Sequence, residues 1–192
     1  MKNIKQKKSI CVFCGSKHGN STIYKDATLE LGEQLAKNEI KLVYGGGSLG
    51  LMGELSKSVH RNKGEVLGVI PKNLLKIEGI NKNHGEIIIT NDMHKRKKTM
   101  YENADAFLCL PGGIGTLEEV SETITWFQLK ISRKPIFFLN INGYWDNFRV
   151  LLEQFVSLEF SDQDLLNYLN FFESVETLIP SLLSSLDIPS KE

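Results

Sequence analysis

A chain of 192 residues, 41% apolar and 24% charged, is long enough to bury a core without disulfide staples. Basic and acidic residues balance at 23 each, so no net basic field draws it onto nucleic acid or anionic lipid, and neither partner is expected. Three cysteines, Cys11, Cys14 and Cys109, suit a reducing compartment; no apolar run reaches the length of a membrane span or a signal-peptide core, so a cytoplasmic location is expected.

Strand and helix signals alternate along the chain. Residues 9–14 (SICVFC) read as a strand stopped by Gly15-Ser16. Tyr24, Ala27, Leu31 and Leu35 recur at helical spacing. Residues 40–44 (IKLVY) form a second strand, ended by three glycines, and Leu51, Leu55, Ser58 and Val59 suggest the next helix. Residues 66–70 (VLGVI) are a third strand stopped by Pro71; 71–86 are irregular, a long loop or short helix near the ligand face. Residues 87–90 (IIIT) are a fourth strand, 93–103 a helix and 106–110 a fifth strand. A helix over 117–129, a sixth strand over 135–140 and a helix over 144–158 follow. A short apolar piece at 169–172 and a helix over 175–186 close the chain.

Continuous apolar strands between amphipathic helices imply a parallel sheet covered on both faces. The expectation is one doubly wound, Rossmann-like α/β domain over 1–192, with a basic tail at 1–8 and a disordered end over 187–192. In such sheets ligands bind at the carboxyl ends of the strands. That rule selects Gly15-Ser16, residues 45–53, the stretch after Thr90, and 111–119. Half of the sixteen glycines fall in two of these places, 45–53 and 112–115.

YGGGSLGLMGE (44–54) contains G-x-G-x-x-G between a strand and a helix. A dinucleotide site also wants an acidic residue ending the next strand, whereas Glu65 starts it and Pro71 ends it, so NAD is disfavoured. The block reads equally as a ligand-facing loop or as a tight turn with close helix packing. PGGIGT (111–116) is more informative. Its glycines free backbone N–H groups at a helix start, where the macrodipole favours negative charge, and Thr116 adds a hydroxyl donor. Without the Gly-Lys-Ser/Thr ending of a P-loop, this small donor set suits a monophosphate.

Thr116-x-x-Glu119 matches a capping box, in which Glu119 would only cap its own helix. A carboxylate beside bound phosphate instead needs a cation, and HKRKK (94–98) offers Arg96, on one helical face with Met93, Lys97 and Met100. Arg96 is expected to reach the neighbouring PGG loop; the alternative is a solvated basic face. Cys11-x-x-Cys14 lies in an apolar strand and reads as buried packing rather than a redox pair. No histidine spacing suggests a metal, and no G-x-S-x-G elbow is present.

Together VYGGGSLGLMG (43–53), GVIPK (68–72), MHKRK (93–97), PGGIGTLEEV (111–120), TWFQL (125–129) and KPIFFLN (134–140) resemble the LOG (Lonely Guy) family. These are cytokinin riboside 5′-monophosphate phosphoribohydrolases and related AMP nucleosidases. The similarity covers nearly the whole chain, and MHxRK with PGGxGTxxE is the specific combination. Members were long mislabelled lysine decarboxylases, yet no lysine here sits in a recognisable pyridoxal-phosphate setting.

The resemblance implies hydrolysis of a purine nucleoside 5′-monophosphate to free base and ribose 5-phosphate, without metal or cofactor, by a homodimer whose interface completes the site. It makes Arg96 and Glu119 the catalytic pair, with Arg96 keeping Glu119 ionised. Gly113, Gly115 and Thr116 would hold the phosphate. Glu78, Lys97, Glu118 and Thr125 would contact substrate, and Gly15, Ser16, Gly46 and Gly47 would line the pocket. Met93, Gly112, Ile114 and Leu117 belong to the same two motifs. The rival is a non-catalytic nucleotide-binding module, which would not need both Arg96 and Glu119. Two departures stand out: Gly15-Ser16-Lys17 where the family usually has Gly-Ser-Ser, and Leu129-Lys130-Ile131-Ser132 where it often has Leu-Gly-Ile-His. The second falls where base selectivity or the dimer surface would be affected.

Overall fold

Short apolar strands without alternation require cover on both faces, and helices supply it here. A computed structural model describes residues 7–80 and 82–187. The expected tail and disordered end fall mostly on 1–6 and 188–192, outside the described residues. The elements are β1 (Ser9–Phe13), α1 (Thr22–Lys37), β2 (Lys41–Tyr44), α2 (Gly50–Arg61), β3 (Val66–Pro71), α3 (Leu75–Glu78), β4 (Glu86–Thr90) and α4 (Met93–Glu102). They continue with β5 (Ala106–Cys109), α5 (Ile114–Gln128), β6 (Ile136–Leu139), α6 (Asp146–Ser157), α7 (Asp164–Tyr168), β7 (Leu169–Phe172) and α8 (Val175–Asp187).

The seven strands run in the order β4-β3-β2-β1-β5-β6-β7, and every pairing is parallel. Side chains along β1 divide by parity, as a pleated strand requires. Ile10 and Val12 join one core layer with Leu31 and Leu35 of α1, Leu55 of α2 and Leu178 and Leu182 of α8. Cys11 and Phe13 join the other with Met100 of α4, Val120 and Ile124 of α5, and Leu152 of α6. Both members of the Cys-x-x-Cys pair are buried, and burial pushes their thiols up, Cys11 well above the ordinary range.

The chain leaves β1 in one direction through β2, β3 and β4, then returns across the sheet to lay β5 on the other side of β1. The carboxyl ends of β1 and β5 are therefore the topological switch point, where the flanking loops diverge and open a crevice. This order corrects one expectation. β4 is an edge strand, four places from β5, so Arg96 does not enter from a strand beside the PGG loop. It arrives because α4 crosses back over the sheet and packs on β3. The irregular stretch after β3 holds 3-10 turns at Lys72–Leu74 and Lys82–His84 around the one-turn α3.

Helix α5 ends with Lys130 in the left-handed region (φ 59°), its N–H donating to the Phe127 carbonyl and the Ile131 N–H to Trp126. A side chain at such a position costs roughly 1–2 kcal/mol, partly offset by glycine's extra freedom in the unfolded chain. Lys130→Gly should therefore raise unfolding stability by about 0.5–1 kcal/mol in a urea titration, while Lys130→Ala should give no such gain.

Candidate active site

A cavity of about 420 Å³ occupies the switch point. Its floor carries a guanidinium and a carboxylate, both almost excluded from solvent. Arg96 Nη1 lies 3.4 Å from Glu119 Oε1, and the two side chains are 7% and 10% exposed. The rest of the guanidinium is spoken for by backbone: Nε donates to the Val69 carbonyl (3.1 Å) and Nη2 to the Gly45 carbonyl (3.3 Å). Gly45 is required here for space. A Cβ at that position would sit 2.2 Å from Arg96 Nη2, so any side chain would expel the guanidinium.

Glu119 points inward from α5 and does not cap its own helix. That helix begins at Ile114, three residues earlier than its periodicity suggests, with Gly113 at the N-cap and no side-chain cap. Thr116 thus lies inside the first turn, and the capping box does not form. Burial pushes the Glu119 carboxyl up to about 7; the carboxylates of Glu118 and Glu78 push the same way, and Arg96 only partly opposes them. The expectation that Arg96 keeps Glu119 ionised is corrected accordingly: desolvation outweighs Arg96 and the weaker pull of Lys97, and the carboxyl is pushed up to about 7.

The wall above this pair is the PGG loop. A Cβ added at Gly113 or Gly115 would meet nothing within 4 Å, so the backbone at the start of α5 faces open space. Gly112 is different: a Cβ there would lie 2.1 Å from Thr116 Oγ1. Its carbonyl accepts a hydrogen bond from the Tyr144 hydroxyl, which ties the loop to the chain following β6. The N-terminus of a fifteen-residue helix without a side-chain cap favours an anion.

On the opposite side stands Glu78, at the end of α3. Ser48 clips this segment to the β2–α2 loop, its N–H and hydroxyl both donating to the Glu78 carbonyl at 3.1 Å. Glu78 Oε2 is buried without a hydrogen-bond partner, and burial pushes the carboxyl up despite Arg96. A ligand donor reaching it would relieve that penalty.

The cavity gathers Arg96, Glu119, Glu78, Glu118 and Met93 with Gly15, Ser16, Gly112, Gly113, Ile114, Gly115 and Thr116. Five expected residues lie outside its lining. Gly46 and Gly47 sit behind it, Gly46 in the left-handed region (φ 79°) and Gly47 against Glu78. Lys97 is paired with Glu118 (2.5 Å) and Glu122 (3.0 Å). Leu117 is half-buried, and Thr125 is exposed farther along α5, its hydroxyl donating to the Ser121 carbonyl. Sequence reasoning missed Lys17, His18, Tyr24 and Tyr144. The strand-end rule that chose Gly15-Ser16 extends naturally to Lys17 and His18, whereas nothing local marks Tyr144.

Fold and site define a doubly wound α/β protein with a crevice that opens at the start of α5 above a buried Arg–Glu pair. Residues 52–182 match the sequence family described as "Possible lysine decarboxylase". The chain is 50% identical over 147 residues to the Arabidopsis thaliana protein named "Cytokinin riboside 5'-monophosphate phosphoribohydrolase LOG2", covering 77% of this chain and 69% of that one. It is 46% identical over 175 residues to the Oryza sativa subsp. japonica protein named "Probable cytokinin riboside 5'-monophosphate phosphoribohydrolase LOG4", covering 91% and 76%. The chain belongs to this LOG family. Among solved structures, the molybdenum cofactor carrier protein of Chlamydomonas reinhardtii shares the fold, with a TM-score of 0.73 at 23% identity over 95% of this chain and 100% of that one.

The raised Glu119 carboxyl carries a stability consequence with a definite sign. Its folded pKa, about 7, exceeds the ordinary 4.5, so the folded state binds the extra proton between these values. The stabilisation is complete below pH 4.5 and is lost as pH rises through 7. Glu119→Gln should remove that slope: its stability relative to the parent should climb by up to about 3 kcal/mol from pH 4.5 to 7, read by denaturant titrations across the range.

Proposed function

We propose that this protein hydrolyses the N-glycosidic bond of purine and cytokinin nucleoside 5′-monophosphates, giving free base and ribose 5-phosphate. The observation that carries the reading is the buried Arg96–Glu119 pair facing the same cavity as the uncapped start of α5. The names of relatives about half identical over most of the chain support the same chemistry.

Cleaving the bond develops oxocarbenium character on the ribose. Ionised Glu119 stabilises that charge at C1′ and orients the attacking water. In a desolvated site the interaction is stronger than in water. Arg96 holds the carboxylate in place, and it is itself held by the Val69 and Gly45 carbonyls. The phosphate sits on the α5 amides, and this contact away from the breaking bond orients the sugar. A nucleoside lacking phosphate is then a poor substrate.

A homodimer belongs to this reading. Thr125 is exposed on α5 outside the cavity, so it would reach a substrate only across an interface with a second copy. The three buried free thiols support the reducing cytoplasm as its location.

Incubation with AMP and with isopentenyladenosine monophosphate should release free base, detected by chromatography. Glu119→Gln should stay folded and lose roughly 10²–10³ in kcat. Binding without turnover would leave only a nucleotide-binding module. As the ionised form is the active one, kcat/KM should rise with pH through an apparent pKa near 7, and Glu119→Gln should abolish that limb. Activity falling above pH 7 would assign Glu119 the role of acid instead.

A further inference from the structure

The charges lining the cavity are unfavourable to the substrate just proposed. Glu78, Glu118 and Glu119 all face it; Lys97 offsets Glu118 and Arg96 offsets Glu119, which leaves Glu78, and a nucleotide brings a phosphate carrying more than one negative charge. Backbone amides offer only partial charge. Of the basic side chains in the lining, Arg96 is committed to Glu119 and two carbonyls, and His18 lies 3.5 Å from Glu54. Lys97 stands outside, held by Glu118 and Glu122. Lys17 is left, and among the described residues its ammonium has no carboxylate partner.

Although its side chain is exposed, Lys17 springs from a fixed point. The Gly15 N–H donates to the Pro111 carbonyl at 3.0 Å, and a Cβ on Gly15 would lie 3.2 Å from Gly112 Cα, so this loop abuts the PGG loop directly. From below, the Leu51 N–H donates to the Gly15 carbonyl at 3.0 Å. Gly50, with φ 58°, packs against the Ser16–Lys17 peptide; a Cβ there would sit 2.2 Å from the Ser16 carbonyl carbon and 2.3 Å from Lys17 N. The lysine stem therefore starts between the two glycine loops, beside the open amides of α5.

We propose that Lys17 supplies the counter-cation for the substrate's 5′-phosphate and so sets this protein's preference for phosphorylated ligands. The proposal rests on the hydrolase reading, and the test separates the two. Ribose 5-phosphate binding is measured by calorimetry for the parent, Lys17→Ser and Lys17→Arg, with ribose as the unphosphorylated control. Lys17→Ser should weaken ribose 5-phosphate roughly ten- to a hundredfold at low salt, the loss expected for a hydrogen bond to a charged group, while Lys17→Arg stays near the parent. Added salt should erode most of the difference, since the contact is exposed. With AMP, KM should rise in step and kcat should fall far less. Equal ribose 5-phosphate affinity in the parent and Lys17→Ser at low salt overturns the proposal, even if base is released normally. Lys17-dependent binding in a protein that releases no base supports the anion contact and removes the hydrolase reading.

Discussion

A guanidinium and a carboxylate buried together beneath an open cavity set the terms for the structure around them. Taking both charges out of water costs several kcal/mol each, and their attraction alone seldom repays it. The chain meets that cost with backbone. The Val69 and Gly45 carbonyls accept from Arg96, and Gly45 gives up its side chain so that the guanidinium can lie against the strand end. The arrangement therefore serves the site more than it serves stability. It leaves Glu119 with a proton affinity near neutrality, where a small change in surroundings decides its charge.

Everything that reaches this pair does so because of strand order. The β1 and β5 ends are adjacent, so the Gly15 and PGG loops touch; α4 travels back from the edge of the sheet, so its arginine meets α5. Glycines occur where these approaches are closest. Gly50 and Gly112 admit a neighbouring peptide and a threonine side chain, respectively, whereas Gly113 and Gly115 leave the helix start open. The two glycine blocks thus differ in use: the first lets segments of the site approach one another, and Gly113 and Gly115 of the second leave backbone open to the cavity.

Periodicity made the alternating elements legible, together with the parallel sheet and the importance of strand ends. It placed the start of α5 too late, because Ile114 is 81% exposed and Gly115 has no side chain, so the first turn carries no buried stripe. The capping-box reading of Glu119 failed for a related reason. Thr116-x-x-Glu119 satisfies the local pattern, but Gly113 already serves as N-cap and Arg96, far away in sequence, waits on the other side. Lys97 is paired with Glu118 and Glu122 and is not among the residues that line the cavity.

By itself the sequence determined the α/β class, the two glycine loops and the residue types a phosphate and a developing cation require. These depend on local spacing and on the composition of short segments. Tertiary structure alone decided that β4 lies at an edge, that Arg96 is held by a carbonyl of β3 and one of the loop after β2, and that Tyr144 and Lys17 flank the PGG loop. It also decided the proton affinity of Glu119, because the largest cause is desolvation, which depends on everything packed around the group rather than on its neighbours in the chain alone.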